Sequence, residues 1–256
     1  MSLMIATDKL EGTAKTAMEA KIQCVLANRI IAGEKIVDAY GHVSLRNPEN
    51  PESFFISRSI SPEFVTLDDL LEFDFDGNVL TKTEHRSYGE RIIHARIFNA
   101  RPDVNAVVHA HPIELFPFCC SNTPFKPINH SASIFYRDIP IFNDLDVDAG
   151  MLIATFEQGE SLAKCLGDNI ACLIRNHGVV VACENIQQLM YASLVLKEGA
   201  ESLWRTLCMG AKPNYLGYEE AEKAAKLCFA STGLSRSWDY LVKKAKGRFP
   251  DIRDLG

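Results

Sequence analysis

The sequence lacks several features that would identify whole classes of protein. No apolar run approaches the roughly 18 to 20 residues of a membrane span, and the amino-terminal stretch does not place an apolar block after a basic start. Lysine and arginine form no run longer than KKAK, and the 256-residue chain has a formal net charge of −6. These absences argue against membrane and nucleic-acid partners and predict a cytoplasmic protein.

Eight cysteines are present, but they form no C-x-x-C pair. Most occur in apolar surroundings, as in IACLI, VVACE and FCCS. Buried reduced cysteine behaves as a small apolar residue. The sequence therefore predicts free thiols rather than a disulfide framework or a thiolate metal site.

Linkers, internal repeats and low-complexity tracts are also missing, and 47% of the residues are apolar. This composition favours a single α/β domain over residues 1–256 that ends in a helical extension. Apolar spacings of three and four predict helices over residues 13–31, 89–99 and 186–210. Shorter helices are expected at GESLAKCLGD and around STGLSRSWDY.

Short β-like runs occupy much of the remaining chain. The predicted strands are HVSLR, SFFIS, LLEFDFDGNVL with a hairpin signal at Asp76-Gly77, NAVVHAH, and the two apolar halves of IACLIRNHGVVVAC. Two further extended pieces are expected at FKPINH and IPIFND.

The segment NAVVHAHP places His109 and His111 two residues apart at the end of a predicted strand. Alternate residues of a strand project to one face, so both imidazoles can reach one metal ion. The pattern alone is weak, because partly exposed histidines at a strand end are the ordinary alternative. His177, between Asn176 and Gly178 at a predicted strand turn, strengthens the metal interpretation.

The other histidines carry less information. His94 falls inside a predicted helix, where a packing or surface role is expected, and His85 and His130 fall in loops, where no metal-binding role is expected. His42 begins a predicted strand beside a glycine and stays a candidate functional residue.

Four segments in this order resemble the class II aldolase/adducin superfamily over about residues 15–210: YGHVSLR, ISRSISPEFVTLDDLLEFDFDGNVL, ERIIHARIFNARPDVNAVVHAHP and LIRNHGVVVACENIQQLMYA. The resemblance implies a three-layer α/β/α fold with a central mixed, largely antiparallel sheet. The part from about residue 213 to 256 lies outside it, as the C-terminal helical extension.

The resemblance also implies one divalent metal per subunit, held by His109, His111 and His177. Zn²⁺ or Mn²⁺ is expected, and Fe²⁺ or Co²⁺ also suits these ligands. Glu90, at the head of the second long helix, corresponds to the family's acid/base and is a further metal ligand when substrate is absent. Physical chemistry agrees, since a carboxylate near a dication and a helix N-terminus is ionised at neutral pH.

Three positions distinguish this chain from phosphate-handling members, which typically show G-N-V-S, a threonine-glycine pair, and small hydroxyl residues before the glutamate. Here the sequence has GHVS, SRS and Tyr88-Gly89. His42, Arg58 and Tyr88 resemble the branch that decarboxylates hydroxy-aromatic or hydroxypyridine carboxylates. The predicted substrate-binding residues are Arg58, Ser57, Ser59, Ser44 and Tyr88, with His42 and Glu90 catalytic. A surface or intersubunit ion pair for Arg58 and a packing role for Tyr88 stay open.

The expected function is a metal-dependent carbon–carbon lyase that decarboxylates a small anionic hydroxylated aromatic or heteroaromatic acid, the metal stabilising an enolate- or phenolate-like intermediate. The alternatives are an aldolase or epimerase of a sugar or sugar phosphate and a catalytically silent adducin-like module. The resemblance further implies a homo-oligomer, commonly a tetramer, with active sites near subunit boundaries. Candidates for an aromatic residue that completes a neighbouring site are Tyr215, Tyr218, Trp238 and Tyr240.

Overall fold

The computed structural model describes residues 13–146 and 150–255. A single seven-stranded sheet runs in the order β3-β2-β1-β4-β7-β6-β5. All neighbouring strands are antiparallel except β5 and β6. The strands are β1 (His42–Arg46), β2 (Ser53–Ser57), β3 (Leu70–Asp74), β4 (Ala106–Ala110), β5 (Ile141–Phe142), β6 (Ala171–Ile174) and β7 (Gly178–Cys183).

Seven α-helices are described in residues 13–146 and 150–255. They are α1 (Ala17–Gly33), α2 (Arg91–Ala100), α3 (Phe116–Cys119), α4 (Phe156–Leu166), α5 (Ile186–Cys208), α6 (Tyr218–Cys228) and α7 (Ser231–Arg248). Short 3₁₀ turns lie at Pro62–Phe64, Leu67–Asp69, Ile113–Leu115, Ser131–Phe135 and Pro250–Ile252.

Two apolar cores lie on opposite faces of the sheet. One joins the sheet to α1, α5, α6 and α7, and the other joins it to α2 and α4. Strand alternation separates them: Val108 faces the first core, whereas its neighbour Val107 faces the second. These helix–sheet–helix layers confirm the predicted three-layer fold with a largely antiparallel sheet.

Several element boundaries differ from the sequence-based expectation. Helix α1 begins at Ala17 because the Thr16 hydroxyl accepts a hydrogen bond from the Glu19 amide and caps the helix. Beyond the Asp76-Gly77 turn, Val79 forms only an isolated bridge with Phe73. Residues 125–130 form no strand, and IPIFND contributes only the two-residue β5.

The predicted C-terminal helices are present and complete the first core. Leu241, Ala245 and Phe249 are buried there, and α7 packs against α1 and α5. All eight cysteines are free, and five of them are buried. Within the described ranges, no helix is both long and apolar enough to cross a lipid bilayer.

Candidate metal centre

The site lies where β1, β4 and β7 meet the amino-terminal end of α2. His42 on β1 is the direct cross-strand neighbour of His109 on β4. Both face the α2 side of the sheet, because the residues beside them, Val43 and Val108, face the opposite core. Glu90 is the N-cap residue of α2 and so stands above these two strands.

Two glycines allow the backbone to close around the histidines. A Cβ at Gly178 would lie 2.5 Å from the Ala110 carbonyl oxygen and 2.7 Å from His111 Cδ2. Gly41 has a φ of +110°, a conformation that L side chains rarely adopt, and a Cβ there would lie 2.4 Å from Val37 Cγ1. Asn176, one residue before His177, has a positive φ of 55°, so the turn presents His177 at the strand end.

Four side chains converge at this end of the sheet. Ligand atoms of Glu90, His109, His111 and His177 all lie within 4.8 Å of one another. The His109 and His111 Nε2 atoms are 2.9 Å apart, and Glu90 oxygens lie 3.5 Å from His109 Nε2 and 3.6 Å from His177 Nε2. Ligands about 2.1 Å from a tetrahedral zinc ion are separated by roughly 3.4 Å, so the spacing fits a divalent metal.

Backbone carbonyls fix two of the imidazoles. His109 Nδ1 lies 3.1 Å from the Val179 carbonyl oxygen, and His177 Nδ1 lies 3.2 Å from the Met151 carbonyl oxygen. A carbonyl oxygen only accepts, so each Nδ1 carries the proton and each Nε2 offers a lone pair to the site. The donor set therefore fits a divalent cation in ligand type, in tautomer and in spacing.

Burial favours the neutral form of His111 and His177, which is the form that binds a metal. Burial lowers the pKa of His111 to about 3, with the neighbouring His109 and His177 adding to the effect, and burial also lowers the pKa of His177. Burial alone would raise the pKa of Glu90, but the positive charge that His109 and His177 carry when they are protonated outweighs burial and holds that pKa well below its ordinary value. Glu90 Oε1 also accepts a hydrogen bond from the Ile153 amide at 3.3 Å.

A second row of polar side chains begins beside the cluster and runs into the protein. His42 Nδ1 lies 2.7 Å from His94 Nε2, and His94 Nδ1 lies 2.6 Å from Ser44 Oγ. His94 and Ser44 are fully buried. Burial lowers the pKa values of His42 and His94 far below the ordinary histidine value, so both rings are neutral.

Tyr88 contributes its ring to the site and its hydroxyl to a loop. The ring lies 4.5 Å from the His42 ring. The hydroxyl donates to the Ile60 carbonyl oxygen, accepts from the Ile60 amide at 3.2 Å, and lies 3.3 Å from Ser57 Oγ. The phenol thus fixes the chain after β2.

Arg58 and Ser59 lie on the outer side of that loop. Arg58 Nε donates to Asp69 Oδ1 at 2.6 Å, and the other Asp69 oxygen accepts from the Thr66 amide and hydroxyl. Ser59 is exposed, and its amide bonds to the Arg86 carbonyl oxygen.

A pocket of about 500 Å³ opens beside the cluster, and Glu90, His111 and His177 are among the side chains that line it. None of the described residues that line it is a lysine or an arginine, and neither Arg58 nor any of the three predicted serines is among them. Its lining comprises Asp38, Tyr40, Gly41, His42, Tyr88, Glu90, His111, Ile113, Phe116, Leu152 and His177.

The C-terminal aromatic candidates lie elsewhere within this protomer. Tyr218 contacts the Tyr136 ring, Trp238 packs against the first core, and Tyr215 and Tyr240 are exposed. Of the two loop histidines, His85 is exposed and His130 lies beside Cys228.

His94, for which the sequence predicted only a packing or surface role, joins His42 to Ser44 in the buried row. It lies four residues after Glu90, so both side chains occupy the same face of α2. His42 and Ser44 have the two-residue spacing of one strand face. These two spacings are visible in the sequence. The sequence does not show, however, that α2 packs over β1 and so brings His94 next to His42 and Ser44.

The family described as Class II Aldolase and Adducin N-terminal domain matches residues 22–204. The chain is 29% identical over 187 residues to decarboxylase tropJ of Talaromyces stipitatus, which covers 67% of this chain and 70% of the relative. It is 26% identical over 190 residues to 3,4-dihydroxyphthalate decarboxylase of Arthrobacter keyseri, covering 68% and 73% respectively.

Among solved structures, L-fuculose 1-phosphate aldolase of Glaciozyma antarctica superposes with a TM-score of 0.76 at 20% identity. The match covers 91% of this chain and 92% of that one. At this identity the likeness establishes a shared fold.

Proposed function

Because this chain belongs to the class II aldolase and adducin family, we propose that it is a divalent-metal-dependent carbon–carbon lyase that decarboxylates a hydroxylated aromatic or heteroaromatic carboxylate. The observation that carries the proposal is the pocket beside the ligand cluster. Its walls include Tyr40, Tyr88, Ile113, Phe116 and Leu152, and none of its described lining side chains carries a permanent positive charge.

A sugar phosphate needs cationic or multiple amide donors around its dianion, whereas an aromatic ring gains from apolar and aromatic walls. Arg58, the arginine that the sequence predicts as an anion ligand, is not among the lining residues and has its Nε bonded to Asp69. These features favour an aromatic acid over the sugar-phosphate alternative. The likeness to a decarboxylase of 3,4-dihydroxyphthalate supports the same substrate class.

The proposed metal ligands are His109, His111 and His177, with Glu90 as a fourth when no substrate is bound. A bound divalent cation supplies a Lewis acid for substrate oxygens and for the charge left when carbon dioxide departs. Zn²⁺ and Mn²⁺ are the proposed ions, because imidazole and carboxylate ligands suit both.

Glu90 is the proposed acid/base. Its carboxylate is ionised and can accept the proton of a substrate hydroxyl. The carbon–carboxylate bond then breaks, its electron pair stays on the ring carbon, and Glu90 returns the proton to that carbon. One solvent proton is consumed overall, and carbon dioxide is released.

We also propose that the protein works as a homotetramer with its pockets near subunit boundaries. Tyr40 and Ile113, both on the pocket rim, are more than 70% exposed, and association would cover them. Light scattering at micromolar concentration tests this, and a monomer without loss of activity would contradict it.

The function is tested by two assays on the metal-loaded protein. Release of carbon dioxide from dihydroxybenzoates, dihydroxyphthalates and hydroxypyridine carboxylates is the expected result. Release of an aldehyde from ketose 1-phosphates, with no carbon dioxide from any acid, would establish the aldolase instead. Inactivity in both assays, together with no stoichiometric divalent metal after gentle purification, would favour an adducin-like module.

Glu90→Gln tests the acid/base assignment. The variant should keep the metal, because three imidazoles remain, and lose roughly 100- to 10,000-fold in turnover. Glu157→Gln is the control, since Glu157 is an exposed first-turn glutamate of α4 outside the pocket. Unchanged turnover in Glu90→Gln would rule out this role.

A further inference from the structure

The buried row of Ser44, His94 and His42 determines which nitrogen of His42 carries the proton. Each contact in the row joins two polar atoms: Ser44 Oγ to His94 Nδ1 at 2.6 Å, and His94 Nε2 to His42 Nδ1 at 2.7 Å. Both rings are buried, and a buried positive charge would lose its hydration, so each ring carries one proton. Two arrangements are then possible, with all hydrogen bonds in the row pointing toward the pocket or all pointing away from it.

Ser44 decides between them. Its hydroxyl is fully buried, and its one hydrogen-bond partner among the described residues is His94 Nδ1. If the bonds pointed away from the pocket, His94 would donate to Ser44, and the serine proton would be buried without an acceptor. An unsatisfied buried donor costs its full desolvation penalty, whereas the opposite direction leaves no donor unsatisfied.

We propose that Ser44 donates to His94, that His94 donates to His42 Nδ1, and that His42 is thereby held with its proton on Nε2, facing the pocket. His42 then serves as a fixed hydrogen-bond donor to a substrate oxygen and not as a base. Ser44 and His94 are positioning residues that act through His42.

The geometry supports the direction of the donor. His42 lines the pocket, and its Nδ1 is taken by His94, which leaves Nε2 for the pocket side. A donor aimed at an oxygen that gains negative charge stabilises the transition state more than the ground state. The role in turnover rests on the proposed function, but the proton position rests on hydrogen bonds within the chain alone. Proton transfer is then carried out by Glu90 and not by His42.

Long-range ¹H–¹⁵N spectra of the zinc-loaded protein, labelled with ¹⁵N at histidine, test the proton position without any substrate. The expected spectrum shows His42 with an unprotonated Nδ1 and a protonated Nε2. Ser44→Ala should shift His42 toward a mixture of both tautomers, because the donor that selects one of them is gone. Ser53→Ala, which removes an equally buried strand hydroxyl far from the row, should leave the His42 signals unchanged.

A protonated His42 Nδ1 in the unmodified protein would overturn the proposal. So would a Ser44→Ala spectrum with the unmodified tautomer. Neither result depends on which substrate the enzyme uses, so failure here is distinguishable from failure of the decarboxylase assignment.

Kinetics test the consequence for turnover. His94→Leu leaves His42 Nδ1 without a donor and should lower kcat about tenfold with little change in KM. His94→Gln can still donate through its amide and should stay within about threefold of the unmodified enzyme. Equal loss in both variants, at equal thermal stability, would show that His94 only fills space.

A pair of His42 variants separates a donor from a base. His42→Gln retains an N–H group but has no basic nitrogen, and His42→Ala has neither. Turnover in the Gln variant should exceed that in the Ala variant by about tenfold. Equal turnover in the two variants would contradict the donor role.

Discussion

Two groups of histidines lie side by side on one face of the sheet, and they are held in different ways. In the metal cluster, His109 and His177 are oriented by carbonyl oxygens of the backbone. In the buried row, His42 and His94 are oriented by each other and by one serine hydroxyl. The ring orientations in the metal cluster therefore depend on the backbone, whereas those in the buried row depend on the side chain of Ser44.

The difference follows from what each group must do. Metal ligands need an unprotonated Nε2, and a backbone carbonyl enforces this because it never donates. A donor to the substrate needs a protonated Nε2, which a hydrogen-bond donor to Nδ1 enforces, and in the proposed arrangement that donor is His94. Substitutions in one group should therefore leave the other largely intact.

The largest expected effect comes from breaking the metal cluster alone. His177→Ala removes one imidazole ligand. Its metal affinity should fall by more than the roughly 10- to 100-fold that is typical when a residue hydrogen-bonded to a metal ligand is replaced. Metal content after dialysis and carbon dioxide release both report it. His85→Ala is the control, because His85 is exposed in a loop. Full metal content and activity in His177→Ala would contradict the assignment of this ligand.

A smaller effect is expected when the cluster is displaced without losing a ligand. Gly178→Ala would place a Cβ against the Ala110 carbonyl and the His111 ring, so His111 must shift. Metal affinity should fall about tenfold, and the unfolding free energy should fall by about 1–3 kcal/mol. Gly217→Ala, where a Cβ meets nothing within 4 Å, should do neither. Unchanged metal affinity in Gly178→Ala would mean that the turn accommodates the added Cβ without moving His111.

Tyr88→Phe tests the edge of the buried row, where the Tyr88 ring lies against His42. The phenylalanine ring keeps that wall but loses the bonds to Ile60 and Ser57. The unfolding free energy should fall by about 1 kcal/mol, with KM nearly unchanged, as measured by urea denaturation and steady-state kinetics. A large rise in KM at unchanged stability would instead mean that the phenol contacts substrate.

The smallest effect is expected outside both groups, at Asp69. Burial raises the pKa of this carboxyl, but hydrogen bonds from Thr66 and Arg58 outweigh that effect and lower the pKa below its ordinary value. The stabilising effect is therefore present above about pH 4 and is lost as the pH falls through the lowered pKa.

Asp69→Asn should cost about 1 kcal/mol or less at neutral pH, because the Arg58 partner is partly exposed and solvent-screened. Denaturation between pH 7 and pH 3 should show that the difference in unfolding free energy between the variant and the unmodified protein decreases as the pH falls. Asp68→Asn, at an exposed neighbouring position, should leave stability unchanged at every pH. A gap that widens in acid would contradict the pKa direction.

Three of the four side chains that converge in the structure were candidate ligands from local patterns. His109 and His111 have strand spacing, and His177 lies in an N-H-G turn. Glu90 was found through the family resemblance, since a first-turn glutamate has no distinguishing pattern of its own. The buried row was not found, because His94 looks like any helical histidine until α2 is known to lie across β1.

Boundaries also depended on contacts that the sequence does not display. The turn at Asp76-Gly77 was visible, but the returning strand is reduced to one bridge at Val79. Likewise, the C-terminal helices were predicted, but the sequence did not show that Leu241 and Phe249 belong to the main core.

The sequence alone determined the α/β class and three candidate histidines, because strand and helix periodicities and short motifs are local properties of the chain. The layered arrangement and Glu90 were implied by the family resemblance. Only the tertiary structure decided the contacts that join Ser44, His94 and His42, the bonding of Arg58 to Asp69, and the absence of cationic side chains among the described residues that line the pocket. These features depend on contacts between residues that are far apart in the chain, which local sequence patterns do not reveal.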